Sequence, residues 1–191
     1  MMTPRERWHA LFNKQTPDRI PTDYQSTGEV TQRLVTDLCC KDENEVWRQL
    51  HIDKRKGANA NRINDLPQDT DIWGVTYRTV DYGTGSYREA STHPLAHMTT
   101  VAEIEAYDWP SADDFDFSKV RSALESYNSE YPTCVGGFEP FLIYANLRGL
   151  ELGFEDLLLE PEIADAILTH LFEVKSCKRS FLKIEALISA F

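Results

Sequence analysis

The side chains of this sequence best placed to do chemistry are one carboxylate at the edge of an apolar segment, two arginines beside backbone-bending residues, and a histidine pair. Asp71 opens Asp71-Ile72-Trp73-Gly74, where a strand end would present its carboxylate to N–H donors or a cation; a turn-forming aspartate is the competing reading. Arg19, before Ile20-Pro21, and Arg148, before Gly149, could each hold a substrate carboxylate bidentately or lie in an ordinary ion pair. His93 and His97 are spaced to share a metal ion on a helix, but Pro94 favours an extended or turn geometry at His93, and no metal site is assigned. Adjacent Cys39 and Cys40 end a helical pattern and fit structural burial better than chelation. No glycine-rich phosphate loop with its lysine and no serine nucleophile elbow occurs.

A second feature is the run from Thr133 to Gly149, an apolar stretch that breaks at Gly136 and Gly137 and resumes as a helix at Pro140. It reads as a strand-to-helix elbow, with Pro140 suited to a first helical turn where its missing N–H costs nothing. In parallel α/β architectures the loops leaving the carboxyl ends of strands converge on ligands. Gly137, Phe138 and Glu139 are therefore candidate substrate-binding residues, against the alternative of a tight connection without chemistry.

The elements needed to position these groups follow from the pattern of the chain. Thr3, Pro4 and Glu6 form a capping-box signature, and Trp8, Leu11 and Phe12 then mark a helical stripe expected to be buried. Helices are predicted over Glu29–Leu38, Glu43–Leu50, Val101–Tyr107, Ser118–Tyr127, Pro140–Leu147, Leu150–Leu159 and from Pro161 to about Leu187. Thr22-Asp23-Tyr24 reads as a short extended segment, and glycines at 83 and 85 between β-prone flanks predict a hairpin or a pair of short strands. Helices separated by few strands favour sequential α/β wrapping over an antiparallel sheet.

The 191 residues carry a formal charge of −11, so no positive field exists to bind nucleic acid or an anionic membrane. Four cysteines without a regular framework indicate a reduced, cytoplasmic chain. No apolar run approaches the roughly twenty residues that span a bilayer, and Thr3 to Lys14 is too charged for a signal peptide. One domain over residues 1–191 is the default.

Taken together, Thr3-Pro4-Arg5-Glu6-Arg7, Pro17-Asp18-Arg19-Ile20-Pro21, Thr70-Asp71-Ile72-Trp73-Gly74 and the stretch Gly137 to Gly149 followed by a long helix after Pro161 resemble the uroporphyrinogen decarboxylase superfamily. That superfamily also contains cobalamin-dependent methyltransferases. The resemblance implies an α/β fold, the helix-rich and incomplete amino-terminal part of a (β/α)8 TIM barrel, with its site at the carboxyl ends of the strands. It makes Asp71 the match of the aspartate that binds pyrrole N–H groups in true decarboxylases, and puts Tyr144 within a residue of the family's site tyrosine.

Two departures shape the functional expectation. True decarboxylases follow Arg-Ile-Pro with an arginine-rich loop that clamps an acidic substrate, whereas this chain has Asp23-Tyr24-Gln25-Ser26-Thr27-Gly28-Glu29. A many-carboxylate tetrapyrrole would lose its counter-charges there, so the methyltransferase-like branch is expected ahead of porphyrin biosynthesis, with a methyl donor as the small-molecule substrate. A closed barrel of this type needs about 250 residues, so the resemblance also predicts an amino-terminal half or truncated product, inactive as an isolated chain. No cofactor is expected in this chain; zinc and a corrinoid partner protein belong to the full-length methyltransferase reading, with zinc ligands in the carboxyl half. A non-catalytic binding or assembly module is the alternative, and an oligomer is compatible with either.

Overall fold

The first helix begins where the sequence predicts. The Thr3 hydroxyl accepts the Glu6 N–H at 3.2 Å, the Glu6 carboxylate accepts the Thr3 N–H at 2.7 Å, and Pro4 takes the first helical position. This computed structural model describes residues 1–126, 130–135 and 139–181. In chain order the elements are α1 (Pro4–Phe12), α2 (Gly28–Asp37), α3 (Glu43–Gln49), β1 (Lys56–Ala58), β2 (Asn61–Arg62), β3 (Tyr77–Asp81), β4 (Ser86–Ala90), α4 (Val101–Glu105), β5 (Phe115–Asp116), α5 (Val120–Ser126), β6 (Thr133–Val135), α6 (Pro140–Arg148), α7 (Leu150–Leu159) and α8 (Pro161–Phe181). They divide into two units, one of Met1–Ala60 with the described part of 118–136, the other of Asn61–Phe117 with the described part of 137–189.

In the first unit, α1 buries Arg7 and Ala10, while Leu11 and Phe12 are 44% and 70% exposed. The expected stripe of Trp8, Leu11 and Phe12 is thus displaced. The inward face is marked by Ala10 and by Arg7, whose guanidinium bonds Asp18 and Asp53. Trp8 remains half-buried and donates through Nε1 to the Asp53 carbonyl at 2.7 Å.

Helices α1, α2 and α3 all close with the same motif. Lys14, Cys39 and His51 adopt left-handed φ values of 56°, 55° and 54°. The following N–H groups of Gln15, Cys40 and Ile52 reach back to the carbonyls of Ala10, Val35 and Trp47 at 2.7, 2.9 and 2.8 Å. These are Schellman closures made without glycine. Strand β1 pairs in parallel with β6, Lys56 opposite Thr133 and Gly57 opposite Cys134, and α5 packs against β1 through an element that buries Val120 and Leu124. Parallel strands cannot be joined by a tight turn, so a long crossover separates them in sequence.

In the second unit, Tyr77–Asp81 and Ser86–Ala90 form the predicted hairpin, with Tyr77 opposite Ala90 and Asp81 opposite Ser86. Arg62 pairs opposite Phe115 in a shorter antiparallel ribbon. The core gathers Trp73, Val75, Leu95, Ile104, Tyr144 and Leu147 against Ile163, Ile167, Leu171 and Val174 of α8. These residues form the buried face of α8, while Phe172 is exposed. Gly149 has φ 89° and stands between α6 and α7, a conformation that lets the chain turn without a Cβ penalty.

The fold is mixed α/β and helix-rich, and the described residues contain no closed barrel. Their strands form three two-stranded sheets, one parallel and two antiparallel. The parallel pair joins β1 to β6 with four strands between them in sequence, while the glycine-containing turn after β3 returns the chain at once and gives an antiparallel pair. No extended strand forms at Thr22-Asp23-Tyr24. Among the described residues no helix is long and apolar enough to cross a membrane.

Candidate functional site

Asp71 lies in a tight turn rather than at the carboxyl end of a parallel strand. Its Oδ1 accepts the Trp73 and Val75 N–H groups at 2.9 and 3.0 Å, and its Oδ2 accepts the Tyr77 hydroxyl at 2.8 Å. The turn-forming reading weighed for Asp71 is the one the geometry supports. A carboxylate that already closes an Asx turn and takes a phenol has little capacity left to bind two pyrrole N–H groups. Gly74, at φ 78°, completes the turn, and a Cβ there would stand 2.4 Å from the Tyr107 hydroxyl oxygen.

The chain of hydrogen bonds continues from Asp71 into α6. Asn146 Nδ2 donates to the Tyr77 hydroxyl at 3.3 Å, and the Asn146 carbonyl meets His93 Nδ1 at 2.7 Å. The Arg88 guanidinium lies 4.6 Å from the centre of the Tyr77 ring. Asp71, Tyr77, Asn146, Arg88 and His93 are therefore the polar constellation that links hairpin, turn and helix in the second unit. Its chemical centre is a half-buried phenol held between a carboxylate and an amide. Tyr77 was visible in sequence only as a β-prone residue, and Asn146 carried no signal because its partners lie far away in the chain.

Burial, and then the bond to Asp71, push the Tyr77 phenol up to about 12. A raised value means that the folded state favours the neutral phenol. This contribution to stability is complete below the ordinary tyrosine value of 10.0 and disappears as pH rises towards about 12. Alkaline titration followed by phenolate absorbance is expected to lose one late step in Tyr77→Phe, together with part of the stability decrease between those pH values. An unchanged late titration would show that Tyr77 ionises like a solvated phenol.

The other predicted site residues occupy different surroundings. Tyr144 is buried, with its hydroxyl 3.3 Å from both the Gly153 carbonyl and Asp156 Oδ2, and burial with the neighbouring Asp156 raises its phenol well above the usual tyrosine range. Arg148 is buried beside it, with Nε 2.5 Å from Asp156 Oδ2 and Nη2 3.1 Å from Asp156 Oδ1. Its Nη1 donates to the Leu95 and Met98 carbonyls, both at 2.5 Å. Tyr144 and Arg148 thus come together around Asp156, but as a sealed network and not as groups offered to a substrate carboxylate.

Arg19 belongs to the first unit. It donates to Asp53 Oδ2 at 2.6 Å, Asp53 Oδ1 at 3.0 Å and the His51 carbonyl at 2.7 Å. Asp53, fully buried, also accepts Arg7 and the Thr22 N–H, the latter at 2.9 Å. Asp18 accepts Arg7 Nε at 2.7 Å and the Met2 N–H at 2.9 Å, which holds its carboxyl well below the usual carboxylate range. The expected substrate-binding arginine is therefore part of a structural clamp. Asp53 and Asp156, the acids at the centre of both clamps, carry no signal in sequence because their partners are identified only by the fold.

Glu139 is exposed at the start of α6 and makes no capping bond with its side chain. Gly137 and Phe138, like Gly136, lie outside the described residues. Residues 94–97 form a turn and not a helix, so His93 and His97 lack the helical spacing that would aim them at one ion. No three His, Cys, Asp or Glu side chains converge as a metal site among the described residues. No protein-family model matches the sequence, no curated protein matches it, and no solved structure matches the fold.

Proposed function

We propose that the chain is the amino-terminal portion of a uroporphyrinogen decarboxylase-like (β/α)8 barrel, of the branch that handles corrinoids and thiols rather than the porphyrin-forming branch. The observation that carries this reading is the parallel pairing of β1 with β6 across a long crossover, with α5 packed on β1. A parallel strand pair with a helix packed on it is a feature such a barrel shares with other α/β folds. The sequence motifs behind the resemblance support it further, since Arg7 of the first motif and Asp18 and Arg19 of the second meet directly or through Asp53. Residues that are apart in sequence and matched together are also joined in space.

The choice of branch rests on charge. Asp23 pairs with Arg55 at 2.7 Å and with Lys54 at 3.8 Å, and burial opposes but does not outweigh these partners and the Tyr24 N–H in holding its carboxyl low. The stretch that would clamp acidic side chains in a decarboxylase is anionic, with its nearest cations already committed. A substrate bearing many carboxylates meets repulsion there rather than counter-charge. Asp71, occupied by its own turn, offers no compensating anchor.

Two incubations of the full chain test the reading. With methylcobalamin and a thiol, saturable binding of the corrinoid is expected, measured by equilibrium dialysis and by its visible absorbance. With uroporphyrinogen, no release of carbon dioxide is expected. Decarboxylation that persists in the presence of a chelator would overturn the choice of branch. Absence of both corrinoid binding and decarboxylation would leave a non-catalytic binding or assembly module.

A further inference from the structure

Helix α7 reverses the usual arrangement of a surface helix. It buries Gly153 and Asp156 and leaves Leu150, Phe154, Leu157 and Leu158 exposed, Leu158 at 82%. The spacing i, i+4, i+7 and i+8 puts these four side chains on one stripe, about 100° wide on an α-helix. The stripe continues onto α6, where the exposed Phe141 ring lies 5.5 Å from that of Phe154. Single exposed leucines are ordinary, but a contiguous apolar patch with a charged rim marks an interaction site.

The reversal has a local cause. Asp156 is drawn inward by the Arg148 guanidinium and the Tyr144 hydroxyl. Gly153 packs on the Tyr144 ring, where a Cβ would stand 2.9 Å from Cε1. These two positions fix the rotation of α7 about its axis, and the leucine stripe must then face out.

Charge decides what can cover it. Glu151 and Glu155 lie along one edge of the stripe, both exposed, and among the described residues neither forms an ion pair. From Glu139 to Val174 the chain carries eight Asp and Glu against a single Lys or Arg, Arg148, which is buried and paired with Asp156. A second copy of the chain would bring like-charged rims together, and an anionic bilayer would be repelled. A partner whose cations flank an apolar stripe gains at both the centre and the rim.

We propose that the α6–α7 face is a docking site for a basic amphipathic helix of another protein, with leucine-like anchors at i, i+3 or i+4 and i+7 and Lys or Arg beside them. The ten residues of α7 span about 15 Å, enough to receive anchors from two to three turns of such a helix. The site lies within the second unit and stands independently of the barrel reading.

Three labelled synthetic helices of 14 residues, titrated with the full chain and followed by fluorescence anisotropy, test it. One has a leucine stripe flanked by lysines, the second has the same composition with the stripe scrambled, and the third replaces lysine by glutamate. The first is expected to bind saturably, and the other two at least tenfold more weakly. Leu150→Gln combined with Leu158→Gln is expected to weaken the first peptide tenfold or more while leaving the thermal midpoint in place, since both side chains are exposed. Glu151→Gln with Glu155→Gln is expected to weaken it several-fold and to flatten its salt dependence. The proposal is overturned if the lysine peptide does not saturate, if either control binds as tightly, or if the double leucine variant binds it unchanged. A dimer of the wild-type chain that the leucine variant dissociates would make a second copy the occupant, and binding of phosphatidylcholine vesicles lost in that variant would make it lipid; either result overturns the proposal. Amide shifts at Phe141, Leu150, Phe154 and Leu158 on adding the lysine peptide to the wild-type chain are expected, and their absence overturns it even if a variant fails to fold.

Discussion

Asp53→Ala is expected to destabilise the first unit by about 3–5 kcal/mol, the cost of breaking a buried ion pair from one side. The substitution strips Arg7, itself only 3% exposed, of one of its two carboxylates, and removes the carboxylate partner of Arg19 and the acceptor for the Thr22 N–H. Arg19→Ala should cost much less, because its side chain is 37% exposed and Asp53 retains Arg7. Urea unfolding read by hydrogen exchange of first-unit amides gives both numbers. A loss below about 1 kcal/mol for Asp53→Ala, the range of a surface ion pair, would show that the clamp is not the organiser of α1 and the Pro17–Pro21 segment.

Arg148 and Asp156 are expected to behave as one unit. Asp156→Ala alone should cost about 3–5 kcal/mol, since it strands a guanidinium buried to 3% exposure and leaves the Tyr144 hydroxyl with the Gly153 carbonyl. Arg148→Met combined with Asp156→Leu should cost less than the sum of the two single changes by about 2 kcal/mol, because neither charge then remains unpaired. The cycle also separates the two readings of Arg148. A substrate clamp would leave stability unchanged and alter only ligand affinity, whereas the observed network predicts the reverse.

Local signals were the ones legible in sequence. The capping box at Thr3 and the hairpin between Val80 and Tyr87 each depend on residues within a few positions of one another. The clamps were not legible, because Arg19 to Asp53 and Arg148 to Leu95 span 34 and 53 residues. Composition shows that an arginine needs an acceptor but does not reveal whether that acceptor is a ligand or a distant aspartate. The same ambiguity explains Asp71: the residue types around it fit either a pyrrole anchor or an Asx turn, and only the bonds to Trp73, Val75 and Tyr77 decide.

The left-handed residues that end the first three helices have an evolutionary consequence. Lys14, Cys39 and His51 each hold a backbone conformation that costs a side chain roughly 1 kcal/mol relative to glycine. The unit therefore lies below its attainable stability at three separate points, and a glycine at each would release it without altering a core contact. Proteins that sit near a stability threshold tolerate new function only as far as their reserve allows. These three positions are where this chain could acquire that reserve, giving it mutational headroom to change the groups around a binding site while keeping its fold.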